Sequence, residues 1–234
     1  MLKSKKSIYI FSLLFTFLEF LLAVCVQTVG GRANDFLSVS AIALCFAFAL
    51  LFLEKGTDTA LIQAALFCTL MADICLLILQ PRKQLLAMLF FSAVQICYFI
   101  LLLKNQRKYK GFHLVFRGFI SLTALFLTAL VLGEKADPLS LVSLFYFANL
   151  LLNVIFSFAD FKKNKLFAVG LLLFLLCDIC IGLSEMSAGY IPIKEGTLLY
   201  AVIHPGFNLA WLFYIPAQTL IALSLADKRL SKLK

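Results

Sequence analysis

Eight apolar runs, at about 7–29, 36–53, 60–79, 84–103, 113–132, 138–159, 165–185 and 205–225, account for most of this chain, each bounded by charges or by Gly, Pro, Asn and Asp. A run of about 20 apolar residues is the length at which a helix crosses the hydrocarbon core of a bilayer. The expected fold is therefore all-α: a polytopic membrane helix bundle of about eight transmembrane helices, forming a single transmembrane domain over residues 1–234. Composition excludes a water-soluble alternative, with 63% of residues apolar, 14% charged and a mean hydropathy of +1.01. Eight spans use about 160 positions and leave about 74 for termini and seven connections. A separate soluble domain has no room.

Twenty-one Lys and Arg against twelve Asp and Glu give a net charge of +9, which in a membrane protein is first a statement about orientation and not about nucleic acid. With a cytoplasmic N-terminus, the inside segments carry Lys3, Lys5, Lys6, Lys55, Lys104, Arg107, Lys108, Lys110, Lys162, Lys163, Lys165, Lys228, Arg229, Lys232 and Lys234. The outside segments carry Arg32, Arg82, Lys83, Lys135 and Lys194, while Arg117 sits just within the cytoplasmic start of helix 5. This bias of fifteen to five alternates across every loop and places both termini in the cytoplasm, with the chain multi-pass in the cell membrane. The first run is about 23 residues long, contains Glu19 and lacks a small-residue cleavage site, so it reads as helix 1 and not as a signal peptide.

Helices 3 and 7 share a pattern. Leu66-Phe67 precedes Asp73-Ile74-Cys75, and Leu173-Phe174 precedes Asp178-Ile179-Cys180; each aspartate falls 13 residues beyond the expected cytoplasmic start of its helix, at 60 and 165. Four spans separate the two helices, so they run in the same direction, as in a parallel four-plus-four internal repeat with halves at about 1–105 and 106–234. A carboxyl in hydrocarbon costs a few kcal/mol even on lenient insertion scales and faces the bundle interior or a wet cavity. Helical spacing puts Thr69, Asp73 and Gln80 on one face and Asp178 with Glu185 on another, a polar entrance above each aspartate.

Helix 6 carries the longest polar stripe: Tyr146, Asn149, Asn153, Ser157 and Asp160 at steps of three, four, four and three. Such a face points away from lipid, either to bond neighbouring helices or to line a polar cavity. Helix 1 adds Thr16 and Glu19, helix 4 adds Gln95 and Tyr98, and helix 8 adds Tyr214 and Gln218.

Other chemistries find little support. Cys177 and Cys180 form a C-x-x-C, but mid-helix in apolar surroundings its thiols are not activated, and all seven cysteines lie in apolar stretches. His113 and His204 fall at opposite membrane faces, so no shared histidine zinc site is expected, and no metal or other cofactor is. No Gly-rich phosphate loop and no G-x-S-x-G elbow occurs. The cluster Lys104, Arg107, Lys108, Lys110 reads as an anchor to anionic lipid, and Trp211 with nearby tyrosines as interface anchors. Pro216 is expected to kink helix 8 beside Gln218, while helices 3, 6 and 7 lack an interrupting Gly or Pro.

The segments Leu66 to Leu77 with Asp73, Leu173 to Leu183 with Asp178, and Phe213-Tyr214 through Ala217-Gln218 to Leu220-Ile221-Ala222-Leu223-Ser224 resemble the YhhN family of eight-span membrane proteins, whose characterised relatives are lysoplasmalogenases. The resemblance covers the topology of the chain and about 40 residues of motif. Two positions depart from it. Val94-Gln95 stands before Tyr98 where the family pattern has Gly-His before a tyrosine, and Ala72 stands where it has glycine. Glutamine holds a hydrogen bond but carries no proton.

The resemblance implies hydrolysis of the vinyl-ether bond of a lysoplasmalogen to a fatty aldehyde and a glycerophospho-headgroup. That reaction needs a proton delivered to the alkenyl carbon and water added to an oxocarbenium-like centre, roles that two carboxyls divide in glycoside hydrolysis. Asp73 and Asp178 are the expected catalytic pair. Asn149, Asn153, Tyr146, Gln95, Tyr98, Tyr214 and Gln218 are the expected substrate-binding residues, and the expected partners are membrane lipids including a lysophospholipid substrate, with no nucleic acid. The competing reading is a non-catalytic lipid-binding or small-solute or ion transport protein, in which the aspartates bind a cation or proton.

Overall fold

The structure, a computed structural model, describes residues 4–52, 56–106, 110–133, 137–189, 194–197, 200 and 206–233. Among these residues the chain is helical and has no strand: α1 (Lys5–Thr28), α2 (Gly31–Leu50), α3 (Thr57–Asp73), α4 (Gln84–Asn105), α5 (Lys110–Leu132), α6 (Pro138–Ala159), α7 (Lys165–Gly189) and α8 (Leu209–Lys232). Seven of these, the third counted through Ile78, are long and apolar enough to cross a membrane, and α5 contributes the shorter apolar stretch Gly111–Leu127.

Helix ends follow from local chemistry. Asp137 starts α6, accepting hydrogen bonds from the Ser140 amide at 2.7 Å and from its hydroxyl, with Pro138 in the first turn where its missing N–H leaves nothing unpaired. Asn208 starts α8 by accepting from the Trp211 amide at 3.3 Å, and Gln27 at the end of α1 grips the same residue from both sides: Nε2 donates to the Asn208 carbonyl at 2.9 Å and Oε1 accepts from its amide at 2.8 Å.

Two boundaries differ from expectation. The α-helical ladder of α3 stops at Asp73 and continues as a π-helical turn over Ile74–Ile78, although no Gly or Pro interrupts it. Gln80 lies beyond that turn, exposed in the connection to α4, and so does not share the Asp73 face; Glu185 near the end of α7 is exposed as well. The eighth helix runs to Lys232, seven residues past its expected end, and passes through Pro216. The segment before it that contains His204 lies outside the described residues.

Packing follows the same scheme in both halves. α1 packs on α2 as α5 packs on α6, α2 on α3 as α6 on α7, and α3 on α4 as α7 on α8; the halves join through α4 on α6 and α2 on α8. The α7/α8 crossing is the tightest at one point, where a Cβ on Gly170 would sit 2.8 Å from Ile221 Cγ1 and 3.0 Å from the Ala217 carbonyl oxygen. Leu13, Phe17 and Phe20 on α1 and Val115, Phe119, Leu122 and Phe126 on α5 are exposed, outward apolar surfaces suited to lipid.

Candidate active site

Asp73 is the last α-helical residue of α3, 4% exposed, and its carboxyl meets Tyr214 of α8. The Tyr214 hydroxyl donates toward both carboxyl oxygens, at 3.1 Å to Oδ1 and 2.9 Å to Oδ2. Trp211, one turn earlier on α8 and partly buried, packs edge-on against the Tyr214 ring at 5.3 Å and so supports this pair.

Asp178 on α7 is half-buried and accepts a short hydrogen bond at Oδ2 from the Tyr146 hydroxyl of α6. One side chain links the two carboxyl–phenol pairs: Phe174, one turn before Asp178, contacts Tyr146 at 6.4 Å and Tyr214 at 5.5 Å between ring centroids. Phe91 of α4 packs on Tyr146 and on Phe174 from the other side, and Cys177, next to Asp178 in sequence, is buried. Asp73 lies 16 residues past the start of α3 and Asp178 13 past the start of α7, so the equal spacing expected from sequence is not kept.

The remaining polar stripe of α6 is engaged by a residue that sequence reasoning left near the membrane surface. Arg117 of α5 is 6% exposed. Its Nη1 donates to Asn149 Oδ1 and its Nη2 to Asn153 Oδ1, both at 2.8 Å, and its guanidinium stacks over the Phe99 ring of α4 at 4.0 Å. Asn149 Nδ2 donates to the Phe145 carbonyl at 2.8 Å and to Ser121 Oγ at 3.3 Å. Asn153 Nδ2 donates to Gln95 Oε1 at 2.9 Å and to the Gln95 carbonyl at 3.0 Å. Three expected site residues, Gln95, Asn149 and Asn153, thus form one network around a cation. The signal that finds Arg117 is the spacing of His113, Arg117 and Ser121, four residues apart on one face of α5.

Other expected residues stand apart. Tyr98 and Gln218 are fully buried, and the Tyr98 hydroxyl and both polar atoms of the Gln218 amide have no hydrogen-bond partner. Thr69 and Thr16 donate to the carbonyls of Ala65 and Ser12 in their own helices. Glu19, 2% exposed, accepts from Cys45 Sγ at 3.3 Å. Lys104, exposed at the end of α4, pairs with Asp58 at 2.7 Å and donates to Thr57. A cavity of about 280 Å3 opens at that end, lined by Asp58, Lys104, Lys228, Arg229 and Lys232 among others, away from the aspartates.

Two carboxyls, each fixed by a phenol and set among aromatic rings, can hold or release a proton with little solvent around them. The YhhN family profile matches residues 34–225. The chain belongs to the YhhN family. No curated protein and no solved structure matches it. The YhhN match takes in Asp73, Asp178, Arg117, Tyr146 and Tyr214, while Glu19 precedes it.

Proposed function

We propose that this membrane protein is a lysoplasmalogenase-like hydrolase of the cell membrane, with both termini cytoplasmic, that cleaves the vinyl ether of a lysophospholipid. The observation that carries the reading is the pair of carboxyl–phenol contacts, Asp73 with Tyr214 and Asp178 with Tyr146, joined through Phe174. One aspartic acid delivers its proton to the alkenyl carbon remote from oxygen, leaving an oxocarbenium-like carbon next to it. The other, as carboxylate, takes a proton from the water that adds there. The hemiacetal then collapses, the proton passes to the former ether oxygen, and a fatty aldehyde and a glycerophospho-headgroup leave. Ring and aliphatic surroundings exclude bulk water, which strengthens the electrostatic contacts of both carboxyls.

The π-helical turn directly after Asp73 favours a second reading, a lipid-binding or transport protein, because discontinuous helices mark ion and substrate sites in transporters. Aldehyde release by the purified protein in detergent separates the two, with alkenyl- and acyl-lysophospholipids offered side by side. Hydrolysis predicts aldehyde from the alkenyl lipid, lost at least about a hundredfold in Asp73→Asn and in Asp178→Asn. No turnover by folded protein places transport or binding first.

A further inference from the structure

Arg117 is a cation inside the bundle without an anion. Among the described residues the ion pairs are Lys104–Asp58, Lys163–Asp160 and Lys228–Asp58, none of which involves it. The groups bonded to or packed on the guanidinium are neutral: the Asn149 and Asn153 amides and the Phe99 and Phe156 rings. Its Nε–H is buried with no partner among the described residues, as are Nδ1 of His113, one turn away on the same helix, and Nε2 of Gln95, which sits on the far side of Asn153. Amide dipoles and a ring face offset only part of the cost of burying a guanidinium, and the unmet donor marks where an acceptor is missing. Two unmet N–H groups and a cation call for an oxyanion, and arginine suits phosphate in particular.

Position narrows the source of that oxyanion. Arg117 and Ser121 on α5 face Asn153 and Asn149 on α6, and Tyr146, one turn beyond Asn149 on α6, continues this polar line to Asp178 on α7. Asn149, which holds the guanidinium, lies one turn from Tyr146, about 4.5 Å of helix rise. A three-carbon glycerol unit spans a comparable length between its phosphate and its far oxygen.

We propose that Arg117 binds the phosphate of a single-chain phospholipid headgroup, with Gln95 and Asn153 holding the site in shape. The assignment rests on the hydrolase reading for which bond is then presented to Asp178, and on the geometry of the polar line for the phosphate itself.

The test measures ligand stabilisation against thermal unfolding in uncharged detergent, using palmitoyl lysophosphatidylcholine, palmitoyl monoacylglycerol and inorganic phosphate as probes. The wild type is expected to be stabilised more by the lysophospholipid than by the monoacylglycerol, and little by inorganic phosphate. Arg117→Gln is expected to weaken the lysophospholipid about tenfold more than the monoacylglycerol, and Arg117→Lys to recover part of the difference, since a charged hydrogen bond is worth about this much. Equal stabilisation of the wild type by the two lipids overturns the proposal without any substitution. Equal stabilisation by inorganic phosphate overturns the lipid assignment, and parallel weakening of both lipids in Arg117→Gln reduces Arg117 to an interhelical clamp. Discrimination between the lipids without aldehyde release defeats the hydrolase reading and leaves the phosphate site standing. Aldehyde release by Arg117→Gln equal to wild type on alkenyl-lysophospholipid does the reverse.

Discussion

The Tyr214 hydroxyl on α8 reaches both carboxyl oxygens of Asp73 on α3 across 141 positions of sequence, at 2.9 and 3.1 Å. Asp178 receives its phenol from Tyr146 on α6. In the four-plus-four correspondence α3 matches α7, yet α8 matches α4 and α6 matches α2. The aspartates thus fall on helices that correspond in the expected repeat while their tyrosines do not, and the two carboxyls have different surroundings: Asp73 is buried and Asp178 partly buried. Unequal surroundings are what an acid and a base require.

Removing either phenol tests this arrangement. Tyr214→Phe and Tyr146→Phe keep ring packing against Phe174 and lose only the donor. A hydrogen bond to a charged group contributes about 1.5–3 kcal/mol, so aldehyde release is expected to fall roughly ten- to a hundredfold in each. The effect should fall mainly on kcat, with KM for the alkenyl-lysophospholipid nearly unchanged. A change confined to KM would place the tyrosines in substrate binding instead.

Gly170 sets how closely α7 approaches α8. A methyl there meets Ile221 Cγ1 at 2.8 Å and backbone at 3.0 Å, so Gly170→Ala is expected to cost about 1–3 kcal/mol and Gly170→Leu to prevent the native crossing. Thermal unfolding in detergent and the yield of monodisperse protein report both. Unchanged stability in Gly170→Leu would mean that α7 and α8 do not cross at this residue.

Asp137 lies outside the spans. Hydrogen bonds from the Ser140 hydroxyl and amide hold its carboxyl below the usual range. A lowered folded-state value contributes stability that is complete above the ordinary carboxylate range and lost as pH falls through the lowered value. Asp137→Ala is therefore expected to unfold at lower temperature than wild type at neutral pH, with the difference closing in acid. A gap that stays constant across that titration would show that the carboxylate charge is not what caps α6.

The proposed topology, eight spans with both termini cytoplasmic, makes a direct prediction. Reporter tags at the two ends should both be accessible from the cytoplasmic side of intact cells, and a tag in the connection around Lys194 from the opposite side. Tags at the two ends on opposite sides would remove one span from the count.

Legibility in the sequence was uneven, and the reason lies in the range of the forces. The number of helices, seven of them long and apolar enough to cross a membrane, was readable because burial in hydrocarbon depends on the apolar content of each segment by itself: α6 occupies the residues its apolar run delimits, 138 to 159, and its cap, Asp137, is adjacent. The π-helical turn after Asp73 was not readable, since no Gly or Pro announces it. The two aspartates were visible as polar interruptions, and the α6 stripe as a period near 3.6. Which groups they meet was not visible.

Arg117 shows the limit best. Seven residues from the start of α5, its charge read as part of a surface, and only the packing of α6 against α5, with Phe99 of α4 within reach, turned it inward onto Asn149, Asn153 and Phe99. The sequence by itself determined a membrane bundle of eight helices with carboxyls at Glu19, Asp73 and Asp178 inside its apolar runs, because hydrophobic length and the cost of a buried charge are local quantities. The tertiary structure alone decided that Tyr214 serves Asp73, that Tyr146 serves Asp178 and that Arg117 bonds Asn149 and Asn153, because hydrogen-bond partners across helices depend on rotation and crossing, which no single segment encodes.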